Sequence, residues 1–244
     1  MKDLLKTCTK CRKKKPNTDF YPKRGKCKTC YKETYGYLSI KRKELLERLP
    51  NTLTKEEEYQ LMVDSNFNCM LSGVGGGINL DHFVPLALGE LVLEYGLGGT
   101  TYENIIPISA TLNQSKQSRN PFEWFEKARV KYHLDSSLWN QVVQYMADKN
   151  QMTSIQYKNR INACYKHDKV IKWAENLNES LSRASRNPKA LLRQAIRKGI
   201  NIDVVIKKYG NQLSVEYIKS QKEYINEVKL EYVERGGLEF TRQR

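Results

Sequence analysis

Alternation of apolar and polar positions divides the chain into short segments with different periods. From Tyr31 the run YKETYGYLSIKRKELLERL is rich in helix formers and continues as a helix to about Leu49, where LPNTLT breaks it. Thr54 followed three residues later by Glu57 has the form of a capping box, which predicts a helix over about 55–66. The glycine-rich GVGGG then leads into INLDHF, a short strand over about 78–83. LALGELVLEYGLGGTTYEN reads as a loop punctuated by glycine, and NIIPI resumes as a second strand over about 104–108. Ser109 is placed to cap a helix of two to three turns containing Leu112, Asn113 and Lys116. The centre therefore reads strand, loop, strand, helix.

Helical periods dominate the remainder. Asn120-Pro121 opens PFEWFEKARVKY with proline at the first helical position, and Asp135 opens a helix around Trp139, Val142, Val143 and Met146. Ile161, Cys164, Ile171, Ala174, Leu177 and Leu181 recur at steps of 3, 7, 3, 3 and 4, the signature of one long amphipathic helix acting as a spacer or packing element. Asn187-Pro188 opens a last group that reads as three helices separated at Gly199 and Gly210, the third from Ser214. This rhythm fits a helix-turn-helix that reads DNA and equally an ordinary bundle.

Charge adds a partner to this picture. The chain has 244 residues and a formal charge of +15, with 16 Lys/Arg against 5 Asp/Glu in residues 1–48 and 14 against 7 in residues 183–244. Between them, residues 50–125 hold 3 basic residues against 9 acidic ones. Basic ends around an acidic centre are the electrostatic footprint of a protein that grips nucleic acid at its ends and does something else in the middle. No apolar run approaches the roughly 18 residues of a membrane span, and MKDLLKTCTK lacks the apolar stretch of a signal peptide. A soluble, cytoplasmic protein acting on DNA, with no membrane partner, is the expectation.

Four of the six cysteines fall as C-x2-C-x15-C-x2-C at Cys8, Cys11, Cys27 and Cys30, the spacing of a paired zinc knuckle. In a reducing compartment this predicts a structural Zn²⁺ site, with the surrounding lysines offsetting the negative charge of a Zn(Cys)₄ centre. Such a module contacts DNA or staples a segment too short to bury a core, and the sequence leaves both open.

The central segment carries the candidate chemistry. Phosphodiester hydrolysis requires an activated water, a base to take its proton and positive charge for the leaving oxygen. His82 is the only histidine in the central segment, adjacent to Asp81, whose hard oxygen suits Mg²⁺, as does the carbonyl oxygen of Asn113. Adjacent strand residues point to opposite faces, so Asp81 and His82 share one site only if the strand ends or distorts there, which Pro85 makes reasonable. Lys116, one helical turn beyond Asn113, and Arg119 are the available phosphate contacts.

In DHFVP, ENIIPI and LNQSK, over about residues 69–119, the chain resembles the HNH endonucleases, which share a ββα-metal fold; CTKCRKKKPNTDF…CKTCYKE is similar to the finger that precedes this domain in some phage-borne members. The resemblance implies a catalytic set of His82, Asp81, Asn104 and Asn113, with His82 as general base and Mg²⁺ or Mn²⁺ held by Asp81 and Asn113. It also implies that the Asn104 amide ties the loop backbone and holds His82 in place. Asn113 stands where many members have histidine, and Cys69-Met-Leu-Ser72 and Ser109-Ala-Thr-Leu112 replace the CxxC pairs of related domains, so no second zinc is expected.

These readings combine into an α+β, mostly helical multi-module chain: a zinc module and basic helix over 1–49, a ββα-metal nuclease core over 50–132, a helical spacer over 133–183 and a C-terminal helical DNA-binding region over 184–244. The expected activity is hydrolysis of duplex DNA by a phage or mobile-element homing endonuclease, with a monomer favoured over a dimer and the oligomeric state left open. The alternatives are a restriction or repair nuclease of the same chemistry, and a catalytically inactive zinc-dependent DNA-binding protein.

Overall fold

The computed structural model describes residues 5–183 and 187–234, so the ends of the chain and the start of the expected C-terminal region at 184–186 lie outside the described residues. The fold is mostly helical with two small two-stranded sheets, and the chain divides into two compact units, residues 1–161 and 162–244. Among the described residues no helix is long and apolar enough to cross a membrane.

In the first unit, β1 (Leu5–Thr7) pairs antiparallel with β2 (Lys14–Pro16), and α1 (Lys28–Arg48) begins immediately after Cys27. α2 (Lys55–Asp64) starts at the Thr54 capping box: Thr54 Oγ1 accepts from Glu57 N at 3.2 Å, and the Glu57 carboxylate accepts from Thr54 N at 2.9 Å. β3 (Ile78–His82) then pairs antiparallel with β4 (Ile105–Ser109) in an unbroken register from Ile78 opposite Ser109 to His82 opposite Ile105. The loop between them is not wholly irregular, since it contains a 3-10 turn at Leu86–Leu88 and a single helical turn, α3 (Leu91–Glu94).

Ser109 Oγ caps α4 (Ala110–Lys116) by accepting from Leu112 N at 3.4 Å, which turns the chain back onto the hairpin and completes a strand-strand-helix unit. α5 (Pro121–Tyr132) begins at Asn120, whose Oδ1 accepts from Phe122 N at 2.9 Å; α6 (Ser136–Lys149) begins at Asp135, whose carboxylate accepts from Ser137 N at 2.7 Å. α7 (Ser154–Arg183) is one continuous helix that crosses from the first unit into the second.

The helices of residues 133–161 pack on the hairpin. Phe83, buried directly after His82, stacks on Trp139 of α6 and Tyr157 of α7 with centroids 5.9 and 5.8 Å apart, and meets the edge of Phe122 of α5 at 6.1 Å. Trp139 stacks in turn on Phe125 at 4.2 Å. Aromatic rings bury large apolar areas and lock relative orientation, so α5, α6 and the start of α7 form the wall behind the hairpin.

The second unit contains the rest of α7 with α8 (Pro188–Arg197), α9 (Ile202–Tyr209), α10 (Gln212–Ser220) and α11 (Lys222–Glu234). Four short helices stand where three are expected, because the chain breaks again at Gln221. Trp173, Leu177, Leu192, Ala195, Ile196, Val205, Ile206, Ile218, Ile225 and Val228 make its core. Trp173 Nε1 donates to Leu191 O at 2.9 Å and Asn178 Nδ2 to Tyr209 O at 3.0 Å, fixing α8 and the end of α9 against α7.

Candidate metal centre and hairpin site

The four N-terminal cysteines converge. Arg12 takes a left-handed conformation (φ 59°) and its N–H donates to Cys8 O at 2.9 Å, closing the tight knuckle that brings Cys8 and Cys11 together. Cys27 caps α1 and Cys30 sits in its first turn, so the helix start presents the second pair. The four Sγ atoms lie within 4.8 Å of one another, with Cys8, Cys27 and Cys30 buried and Cys11 half-buried. Donation from the Cys27 N–H, 3.3 Å from Cys8 Sγ, holds the Cys8 thiol down to about 6, whereas burial pushes Cys30 up to about 12. Four cysteine sulfurs converging within 4.8 Å are a donor set suited to tetrahedral Zn²⁺, and the cluster points to a structural zinc site.

At the hairpin, the register places Asp81 and His82 on opposite faces, and β3 ends at His82. Asp81 turns to the face covered by α4. There the Lys116 ammonium lies 2.9 Å from Asp81 Oδ2, with side-chain exposures of 2% and 12%. The same ammonium donates to His82 O at 2.8 Å and to Gln117 O at 3.4 Å. Lys116 is therefore not at the surface where a phosphate would meet it; the inward face of α4 gives its chain no exit to solvent, and a carboxylate partner makes its burial tolerable. Burial raises the Asp81 carboxyl and lowers the Lys116 ammonium, each opposed by the attraction of the other. Asp81 Oδ2 is buried and accepts no hydrogen bond in good geometry, although the ion pair is close.

His82 turns toward the loop, where its Nε2 lies 2.9 Å from Thr100 Oγ1. Thr100 is itself pinned: its N–H donates to Pro50 O at 2.7 Å and its carbonyl accepts from Thr52 N and Leu53 N, both at 3.1 Å. The preceding Gly99 has φ 80°, and a Cβ there would stand 2.6 Å from Pro50 O, so this close approach requires glycine. Nothing in TTYEN distinguishes Thr100 from its neighbour Thr101, and the sequence reading does not single it out.

Asn104 is 3% exposed and saturated: Oδ1 accepts from Val84 N at 2.9 Å, while Nδ2 donates to Val84 O at 2.9 Å and Gly99 O at 2.8 Å. Its carbonyl accepts from Phe83 N at 2.8 Å. One residue thus ties the chain just after His82 to the far end of the loop that holds Thr100. The end of α6 braces it from outside, its cap residue Asn150 donating through Nδ2 to Glu103 O at 3.0 Å and its last residue Lys149 through Nζ to Ile105 O at 3.3 Å.

Asn113 is half-buried on α4, three residues before Lys116 and on the same helix face, while Arg119 is exposed just beyond the helix. Asp81 Oδ2 on this face is taken up by the Lys116 ammonium, and among the described residues the converging group of His, Cys, Asp or Glu side chains is the four-cysteine cluster. Comparison of the chain with models of known families, with curated proteins and with solved structures returned no match.

Proposed function

We propose that the chain is a metal-dependent endonuclease hydrolysing phosphodiester bonds of duplex DNA, in the manner of the HNH enzymes it resembles, with a phage or mobile-element homing role. The observation that carries the reading is the triple tie of Asn104 across the loop directly behind His82, a rigid support for a side chain that must meet a reacting atom.

His82 is the general base. Its Nε2 lies 2.9 Å from Thr100 Oγ1, so the threonine orients the ring that takes the proton from water. Asn104 is a positioning residue. Lys116 acts from inside, holding the Asp81 carboxylate and the His82 carbonyl together. Arg119 is the phosphate contact of this reading, since Lys116 is committed to Asp81. Asp81, through the oxygen that Lys116 does not engage, and Asn113 would hold the Mg²⁺ or Mn²⁺; because Asp81 and His82 leave β3 on opposite faces, the two serve one phosphate only around the end of the strand at His82. When bound, that ion supplies positive charge to the scissile phosphate and the leaving oxygen. One such centre cuts one strand per event. The four-cysteine module, with its zinc, is the proposed grip on flanking DNA, its lysines exposed around the cluster.

The buried Asp81–Lys116 pair favours a second reading, in which the hairpin is a self-sufficient core without activity and the chain is a zinc-dependent DNA-binding protein. Supercoiled plasmid incubated with Mg²⁺ separates them. The nuclease reading expects nicked circles from the wild-type chain and intact plasmid from His82→Ala, which still shifts DNA in a gel. Wild-type protein that shifts the plasmid but leaves it intact in both Mg²⁺ and Mn²⁺ establishes the second reading.

A further inference from the structure

We infer that the outward face of α8, carrying Arg193, Gln194 and Arg197, is the surface that reads base edges of duplex DNA. The identity of the partner rests on the nuclease reading above; the choice of surface rests on the second unit alone.

Charge in this unit is segregated by helix. Residues 187–211 carry Lys189, Arg193, Arg197, Lys198, Lys207 and Lys208 against the single acid Asp203. Residues 212–234 carry Lys219, Lys222 and Lys229 against Glu216, Glu223, Glu227, Glu231 and Glu234. The helix expected to begin near Ser214 as the last element of a helix-turn-helix therefore offers a polyanion little attraction, whereas α8 contains no acid.

α8 is also the helix with the sharpest division of faces. Leu192, Ala195 and Ile196 are buried in the core, and Ala190, Arg193, Gln194 and Arg197 form the exposed stripe opposite. The chemistry of that stripe is specific. Arginine pairs bidentately with guanine O6 and N7, glutamine with adenine N6 and N7, and the small Ala190 lets the helix approach a groove closely. Arg193 is pre-oriented, its Nε donating to Tyr224 OH of α11 at 2.7 Å, with Lys189 4.9 Å from the centre of the same ring. A guanidinium held in place before binding loses less freedom on contact. A stripe meant only for phosphate would need no glutamine.

The test uses the full chain carrying His82→Ala, which leaves bound DNA uncut, and a library of randomised duplexes selected at physiological salt. The wild-type face should enrich a motif. Gln194→Ala and Arg197→Ala, both at exposed positions that leave thermal unfolding unchanged, should each lower affinity for the selected duplex about tenfold and flatten the preference at one position. Arg197→Lys separates reading from plain attraction: it should keep affinity for a scrambled duplex within about threefold while losing the preference. Lys219→Ala on α10 should keep the motif. Enrichment of an unchanged motif by the α8 variants, absence of any motif in the parent chain, or binding of phosphatidylserine vesicles in place of duplex would each overturn the assignment. Plasmid cleavage by the chain with intact His82 is a separate readout. Cleavage with an unchanged motif in the α8 variants removes this inference alone, and loss of the motif in a chain that never cleaves removes the nuclease reading alone.

Discussion

The Lys116 ammonium lies 2.9 Å from Asp81 Oδ2 and donates to the carbonyl of His82 at 2.8 Å, so a single buried side chain holds both members of the adjacent acid–histidine pair. Removing one partner of a buried ion pair leaves an uncompensated charge, which costs more than losing both. Lys116→Met should therefore lower the unfolding free energy by about 3 kcal/mol, and adding Asp81→Asn to it should recover most of that loss. Urea denaturation of the two variants measures it. A single variant that unfolds at the wild-type midpoint would show the pair to be energetically idle.

The zinc module predicts a loss confined to one part of the chain. Purified protein should contain about one zinc ion per chain, and Cys27→Ser should abolish it. Because β1, β2 and the start of α1 surround the thiols, removing the ion should raise amide exchange across residues 5–34 while leaving residues 105–116 protected. The tryptophans, at 124, 139 and 173, lie outside the module and their emission should not change. Protein that contains no zinc when purified without chelators would remove the assignment.

Lys149 makes stability depend on pH in an identifiable direction. Burial lowers its ammonium to about 8, against the pull of Glu103, Asp64 and Glu57 and despite the Tyr102 ring 3.9 Å away. An unfolded lysine titrates near ~10.4, so between these values the folded chain has shed a proton that the unfolded chain still binds, and stability rises with pH. Its contribution is complete above the unfolded value and is lost as pH falls through about 8. Thermal unfolding at pH 8, 8.5, 9 and 9.5 should show the wild-type advantage over Lys149→Met growing with pH. A constant difference would mean that Lys149 keeps its proton in the folded state.

Much of the local structure was legible because its causes are local. Thr54 with Glu57, Ser109, Asn120-Pro121, Asp135 and Asn187-Pro188 each stop or start a helix through bonds spanning two or three residues, and the structure places α2, α4, α5, α6 and α8 at those signals. The cysteine spacing is likewise local in each pair, and its two halves meet because each knuckle is a tight turn. At the hairpin, the order strand, loop, strand, helix was readable from period and glycine. The ties made by the Asn104 amide had no local signal of their own, and the resemblance alone implied them.

Tertiary structure decided whatever depended on which face meets which. A lysine one turn after Asn113 has the same spacing whether it points to solvent or to Asp81; only the packing of α4 on β3 buries it. Thr100 is one of two adjacent threonines until Gly99 brings the backbone against Pro50 and turns that hydroxyl toward His82. The apolar positions of α6 and the start of α7 do not name their partner, and Phe83, more than fifty positions earlier, is that partner for Trp139 and Tyr157. The boundary between units falls inside α7, an unbroken helix whose repeat stays the same on both sides. Capping, knuckle spacing and periodicity are written in neighbouring residues and survive in the sequence alone. Ion pairing across elements, ring stacking and the choice of inward face depend on distances that exist only after the chain has folded.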